Sequence, residues 1–347
     1  MDVLIIYQFC TFGGVERVVL NRAKAFKKFN VDVHLSVGYL HDSGALKSFQ
    51  NYISAHGLQK ELSAFLISKN KFPDLETYDY IFLIDTPQAF NQVINVENVY
   101  IECHTSYLEN RQYLRHIPEN IKGILVPSGS FQSLIREEFP DLPPIQVMPN
   151  PIPDDFFDVK QDTKKFYKKS PLTYYGRLDS WKNYDEAFQI FSYFADDSET
   201  MFLIVGYGAD DKKILQTLEK DGLLAKSLLR SGIDFDRATY LINLVRTHQG
   251  VFVSPSKGES FGLSAAEFMC GGVPVLLSKV PAHEELVDHD ERFLYPLGDI
   301  LEAKQKINFL QQNWIAMRAQ IVNYTEKFKA HTFIEAWDNF LTWNENN

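Results

Sequence analysis

The chain is poor in cysteine. Its 347 residues hold three, Cys10, Cys103 and Cys270, all in apolar segments and none at the spacing of a disulfide framework or a zinc site, so they read as reduced core thiols. Long hydrophobic runs are missing too. None approaches the roughly 18 residues that a membrane-spanning helix needs, and the N-terminus enters a strand-like segment without the basic and apolar regions of a secretory leader. The expectation is a cytoplasmic protein. Positive charge is in deficit, with 35 Lys+Arg against 45 Asp+Glu and a formal net charge of −10, which argues against a nucleic-acid binder. No internal repeat and no low-complexity tract is present. The dinucleotide fingerprint G-x-G-x-x-G is also absent, which weakens a dinucleotide-cofactor reading.

What is present suits a packed globular protein: 45% hydrophobic and 14% aromatic residues, over a length that allows two domains. Short apolar, β-branched runs recur, each followed by a loop and then a helical pattern, which is the signature of α/β units with parallel sheets. Asp2 to Tyr7 is the first such run, followed by Gly13-Gly14 and a helical pattern to about Phe29. Val31 to Val37, Tyr80 to Asp85 and Val99 to Cys103 read as the second, third and fourth strands, with His104 directly after the fourth. Ile121 to Val126 and Ile145 to Met148 follow. Pro149-Asn150-Pro151-Ile152-Pro153 then breaks the alternation. A domain boundary is expected near Pro151, and because proline fixes φ and removes a donor the linker there is expected to be stiff. The alternation restarts at Leu172 to Tyr175 and continues through Met201 to Val205, a weaker Leu228 to Ile233 and Val251 to Val253. The resulting division is 1–150, 151–329 and a terminal helix, 330–347, rich in aromatics spaced for burial.

The stretch from Gly250 to Leu276 is the most informative. A buried strand leads into the loop Ser254 to Gly258, then Glu259-Ser260-Phe261-Gly262-Leu263, then a helix ended by Gly271-Gly272. The loop lies at the carboxyl end of a strand, where open α/β sheets bind ligands. Glu259 precedes the helix and Glu267 lies inside it. The backbone N–H groups of Phe261, Gly262, Leu263 and Ser264 are candidates to hold a phosphate at the helix start, and Gly262 would admit a close approach. An ordinary crossover with two surface glutamates remains the bland alternative. A second loop, Gly176 to Asn183, carries the cations Arg177 and Lys182, which fit either a solvated face or an anion site. Gly206 and Gly208 close the next strand, letting backbone pass near a nucleotide or simply turning the chain.

The pattern P-S-x-x-E-S-F-G-L-x-x-x-E followed by G-x-P-V resembles the signature of the retaining glycosyltransferases of family 4, whose fold is GT-B. Gly13-Gly14, with Val15-Glu16-Arg17, and Arg177 with Lys182 stand in that family's order and spacing. The resemblance implies two Rossmann-like domains facing a cleft, with the C-terminal helix crossing back to the N-terminal domain. It also implies transfer of a sugar from a nucleotide-sugar, read as UDP-linked, to a hydroxyl of a glycan or glycolipid acceptor in cell-surface polysaccharide synthesis. The acceptor would bring peripheral contact with the inner face of a membrane. Arg177 and Lys182 would neutralise the donor diphosphate, Glu267 would bind the ribose, and Glu259 the sugar, with Ser260 adding a hydroxyl where glycine is common. Gly13-Gly14 would approach the donor phosphate, and His104 would lie near the transferred sugar. No metal and no cofactor is implied.

Two other readings stand beside this one. Asp234-Phe235-Asp236 matches the metal-diphosphate motif of the GT-A fold, although Asp236 is also placed to cap the helix that follows. A catalytically silent GT-B protein acting as a partner subunit would show the same fold, but is expected to have lost motif residues that are present here.

Overall fold

A computed structural model of the chain describes residues 1–11, 13–67, 72–157, 168–208 and 211–345. The chain divides into two compact units, Met1–Pro153 with Phe328–Asn347, and Asp154–Lys327.

The first unit is built on seven strands: β1 (Asp2–Cys10), β2 (His34–Asp42), β3 (Leu62–Leu66), β4 (Tyr80–Ile84), β5 (Val99–Glu102), β6 (Ile121–Val126) and β7 (Ile145–Val147). They lie in the order β3-β2-β1-β4-β5-β6-β7, every neighbouring pair parallel. The second unit has six: β8 (Ser170–Tyr175), β9 (Thr200–Val205), β10 (Ser227–Arg230), β11 (Val251–Ser254), β12 (Val275–Ser278) and β13 (Leu294–Tyr295). Their order is β10-β9-β8-β11-β12-β13, again all parallel. Each sheet winds outward from its first strand and then restarts on that strand's other side. The reversal falls between β1 and β4, and between β8 and β11. Such switch points, outside the carboxyl ends of the strands, are where open α/β sheets bind ligands. The strands are continuous apolar runs because helices cover both faces of a parallel sheet: Val3, Leu4, Ile5 and Ile6 are all fully buried.

Several elements differ from the sequence expectation, among them the weaker strand expected at Leu228 to Ile233, which runs Ser227–Arg230. The second strand runs His34–Asp42 instead of Val31 to Val37. Its pairing with β1 continues through Phe9 beside His41 and Cys10 beside Asp42, so the ladder carries both strands past their apolar runs. The helix Leu46–Ala55 and the strand β3 fall where no element was expected. β3 is a five-residue edge strand, LSAFL, with too little apolar length to stand out.

The helix Ala330–Glu345 belongs to the first unit, so the C-terminus crosses back to the N-terminal sheet. Its aromatic residues hold it there. The Phe333 and Trp337 rings lie 5.3 and 5.2 Å from that of Phe26, on the helix Gly14–Phe29. Phe340 stands 5.3 Å from Tyr80, 5.6 Å from Phe82 and 5.0 Å from Tyr100, mostly edge to face, as ring quadrupoles prefer. Gly123 on β6 makes room for this helix, since a Cβ there would sit 2.9 Å from the Trp343 ring. Among the described residues no helix is long and apolar enough to cross a membrane.

Candidate functional site

In the second unit, β8 and β11 lie side by side at the switch point, with Leu172 beside Val251 and Thr173 beside Phe252. Their outgoing loops are stitched together. Trp181 Nε1 donates to the Gly258 carbonyl at 2.9 Å, Lys257 N donates to the Trp181 carbonyl at 2.9 Å, and Asn183 Nδ2 donates to the Pro255 carbonyl at 3.1 Å. Gly258 permits this closeness, because a Cβ there would lie 2.9 Å from the Trp181 ring. Asp179 shapes the first loop by accepting from the backbone N–H of Trp181 at 3.0 Å and of Lys182 at 2.7 Å, a local turn favoured by a short carboxylate.

That turn aims Lys182 at the second loop, where Nζ lies 2.5 Å from Glu259 Oε1. The Glu259 side chain is only 11% exposed. Burial alone would push its carboxyl up. The Lys182 ammonium, the His283 ring and hydrogen bonds from Lys182 and Ser256 outweigh that and hold it below the usual carboxylate range. Glu259 is therefore an ionised carboxylate, able only to accept hydrogen bonds. Arg177 Nε pairs with Asp179 Oδ2 at 3.0 Å, and its side chain is about half exposed. Both sequence-predicted cations thus stand on one loop, each beside a carboxylate.

The helix Leu263–Cys270 starts directly after the Glu259 loop. Its N-cap is Gly262, with no side-chain cap, and its first backbone bond runs from Ala266 N to the Gly262 carbonyl. The helix itself offers no acceptor to the N–H groups of Leu263, Ser264 and Ala265. Gly262 has φ +91°, and a Cβ on it would meet Leu286 Cδ1 at 2.9 Å. Its lack of a side chain thus serves the turn and the packing, a reason distinct from ligand approach. Glu267, one turn into the helix, is completely buried. Phe268 stacks on Phe252 with ring centroids 4.4 Å apart, fixing the helix to β11. Next to this helix start lies His283, also fully buried. Its Nδ1 faces the Ser278 carbonyl at 3.0 Å, Nε2 has no hydrogen-bond partner among the described residues, and burial pushes the ring's pKa below its ordinary value although Glu259 pulls it up.

The Gly206 to Gly208 turn packs against the Arg177 loop. A Cβ on Gly206 would stand 1.9 Å from the Gly176 carbonyl oxygen, and Leu178 N donates to the Tyr207 carbonyl at 2.7 Å. The turn therefore braces the Arg177 loop from behind. Asp234 is exposed and lies 3.6 Å from Arg237 Nε, without capping a helix. The Asp236 side chain lies outside the described residues. Among the described residues no group of three His, Cys, Asp or Glu is placed to hold a metal ion.

In the first unit, Gly13-Gly14 follows β1 and opens the helix Gly14–Phe29. Gly13 N donates to Glu16 Oε2 at 2.6 Å, and a Cβ on Gly14 would meet nothing within 4 Å among the described residues. His104 lies just beyond β5. Its backbone N–H donates to Asp85 Oδ2 at 3.0 Å, and its Nε2 lies 2.9 Å from Glu102 Oε2. Asp179, Trp181, Glu102, Arg22 and His283 were missed at the sequence level. The first two lie inside the Arg177 to Lys182 motif, where spacing alone does not separate scaffold from ligand contact. The others are joined to the site only by the fold.

Comparison with known proteins bears on both units. HepE of Anabaena, crystallised with UDP and glucose, matches with a TM-score of 0.77 over 99% of each chain at 17% identity. TarM of S. aureus matches at 0.78 over 97% of this chain and 98% of its own, at 14% identity. Sucrose-phosphate synthase of Thermosynechococcus elongatus matches at 0.74 over 99% and 98%, at 15% identity. At these identities the likeness shows the fold, which is GT-B. Sucrose synthase of Melioribacter roseus is 24% identical over 184 residues, 46% of this chain and 23% of that longer protein. The family model described as glycosyl transferases group 1 matches residues 155–328. That match takes in half of the chain and both motif loops around Arg177 and Glu259, and the chain belongs to this family.

Proposed function

We propose that the protein transfers a sugar from a UDP-sugar to a hydroxyl of a glycan or glycolipid acceptor, with retention of anomeric configuration, in cell-surface polysaccharide synthesis. The observation that carries the reading is the Lys182–Glu259 pair at the β8/β11 switch point, next to a helix whose N-cap is Gly262. A nucleoside diphosphate needs positive potential where it departs, and a sugar needs hydrogen-bond acceptors for its hydroxyls; the two loops offer both. HepE has been crystallised with UDP-glucose, TarM with UDP and a GlcNAc-glycerol, and a pneumococcal O-GlcNAc transferase of the same fold with UDP and GlcNAc.

In this reading the anomeric C–O bond breaks, UDP departs with the electron pair, the acceptor hydroxyl oxygen forms the new bond, and its proton passes to the departing diphosphate oxygen. Arg177, Lys182 and the N–H groups at the start of the helix Leu263–Cys270 stabilise the charge that grows on the diphosphate, in fixed positions that need little reorganisation. Lys182 carries three donors, so it can face the diphosphate while keeping Glu259 ionised. Glu259 accepts from sugar hydroxyls, and Ser260 adds a hydroxyl beside them. Glu267 binds the ribose. Gly13-Gly14 and His104 act on the donor phosphate and transferred sugar from the first unit. Neither metal nor cofactor is required, and the protein works in the cytoplasm, at the inner face of the membrane when its acceptor is lipid-linked.

The test is a panel of UDP-, GDP- and ADP-linked sugars scored by thermal stabilisation and by release of nucleoside diphosphate. One UDP-sugar should give both signals above the others. Preference for GDP- or ADP-sugars would overturn the base assignment, and silence with every donor would favour a non-catalytic partner subunit.

A further inference from the structure

His104 has a set of partners that its place in the sequence conceals. Arg22, on the helix Gly14–Phe29, directs Nη1 at both oxygens of Glu102, at 2.8 and 3.0 Å. Glu102 is fully buried and the Arg22 side chain is 4% exposed. The second carboxylate oxygen also faces His104 Nε2 at 2.9 Å. Burial would raise the Glu102 carboxyl, but the Arg22 guanidinium and the His104 hydrogen bond prevail and bring it down to about 2. An ionised carboxylate only accepts hydrogen bonds, so the hydrogen of the neutral ring sits on Nε2 and its lone pair on Nδ1. The backbone is fixed as well. Asp85 takes the His104 N–H on one oxygen and the Tyr113 hydroxyl on the other, at 3.0 and 2.9 Å. The His104 side chain keeps 12% of its surface open, and Nδ1 has no hydrogen-bond partner among the described residues.

We propose that the Arg22–Glu102 pair is a positioning device that locks His104 in its Nε2–H tautomer, so that Nδ1 accepts a hydrogen bond from a substrate hydroxyl. A buried ion pair retained for stability alone would be served equally by a pair of apolar side chains. This pair instead spends one oxygen lobe on the only ring in the loop after β5 that the function uses. The inference rests on the reading of His104 as a substrate-facing residue, and its test separates the two.

The full chain, labelled with 15N on its histidine rings and without substrate, is examined by NMR, with the His104 signal assigned by its loss in His104→Gln. The expected result is a dominant Nε2–H tautomer near neutral pH. A dominant Nδ1–H form overturns the proposal, whatever the enzyme's activity. Glu102→Gln alone strands the Arg22 charge and risks misfolding, so the informative variant is Arg22→Met with Glu102→Leu, which removes both charges. In that variant the His104 signal should shift to a mixture of tautomers, and kcat/KM should fall by roughly tenfold or more, as for a misplaced catalytic contact. Adding His104→Gln should cost little further. A doubly apolar variant that keeps the parent tautomer or the parent kcat/KM overturns the device. Parent rates in His104→Gln overturn the substrate-facing role of the ring while leaving the tautomer result intact.

Discussion

Lys182 and Glu259 are 77 residues apart in sequence and 2.5 Å apart in the fold. The relationship makes two separately proposed roles, diphosphate clamp and sugar contact, into one coupled unit. Lys182→Ala should lose about 2–4 kcal/mol of transition-state stabilisation, as removal of one preorganised electrostatic partner does. It should also affect stability, because Glu259 is left nearly buried without its counter-charge. The folded Glu259 carboxyl lies below its usual value, so the pair stabilises the fold above the ordinary carboxylate range, and that contribution is lost as pH falls through the folded value. In Lys182→Ala this acid-side dependence should weaken. Arg177→Ala should show a similar kinetic loss with a stability change within about 0.5 kcal/mol, since its side chain is half exposed. Donor kinetics and thermal melts between pH 4 and 8 check both; parent-like turnover in either variant removes that residue from the clamp.

Glu259 and Glu267 should fail in different ways. Glu267 is assigned to ribose hydroxyls, whose contacts are alike in ground and transition states, so Glu267→Gln should mainly raise the donor KM. Glu259 is assigned to a sugar ring that gains positive character as the leaving group departs, so Glu259→Gln should mainly lower kcat. Steady-state kinetics with varied donor separates the two. Unchanged KM with a collapsed kcat in Glu267→Gln would show the roles to be misassigned.

How far these sites could be read from sequence depended on whether their logic was local. The strand-loop-helix units around Arg177 and Glu259 have apolar runs, breakers and glycines within a few residues of one another, and their strands appeared within two residues of the expected places. β3 was missed because an edge strand of five residues needs little apolar length. The packing reasons for two glycines lay across the fold and left no local signal: Gly206 is required by the Gly176 carbonyl and Gly262 by Leu286, neither of which is near in sequence. Likewise the Arg22–Glu102 pair, 80 residues apart, leaves no local periodicity to detect.

Metal dependence is a separate question of chemistry. Arg177, Lys182 and the helix start at Gly262 already supply positive potential for a departing diphosphate. Activity should therefore persist in excess chelator. Abolition by chelator with rescue by manganese or magnesium would return Asp234 and Asp236 to consideration as ligands.

Gly206→Ala tests whether the turn after β9 braces the Arg177 loop. The added methyl would lie 1.9 Å from a backbone carbonyl oxygen, a contact that no side-chain rotation relieves. The loops must separate, and overpacking of this kind costs about 1–3 kcal/mol or more. Donor kcat/KM should fall along with the melting temperature, because Arg177 moves with its loop. A melting temperature equal to that of the parent would show that the two loops are not coupled.

The buried Arg22–Glu102 pair makes the sharpest stability prediction. Removing one partner leaves an uncompensated charge inside the first unit, so Glu102→Gln should cost about 3–5 kcal/mol. Arg22→Met with Glu102→Leu removes both charges and should recover most of that loss, because apolar replacement of a buried pair is often close to neutral. The pH dependence follows from the direction of the shift. The Glu102 carboxyl falls from an ordinary 4.5 to about 2 on folding, so the folded state is favoured by its ionisation above pH 4.5 and loses that advantage progressively toward pH 2. Asp85, on the other side of His104, shifts the opposite way: burial raises its carboxyl. Neutralising Glu102 should therefore flatten the acid limb of the stability curve without moving the contribution from Asp85. Denaturant melts from pH 3 to 7 on parent, single and double variants complete the cycle. A single variant as stable as the parent would mean that the Arg22 charge is not buried as described.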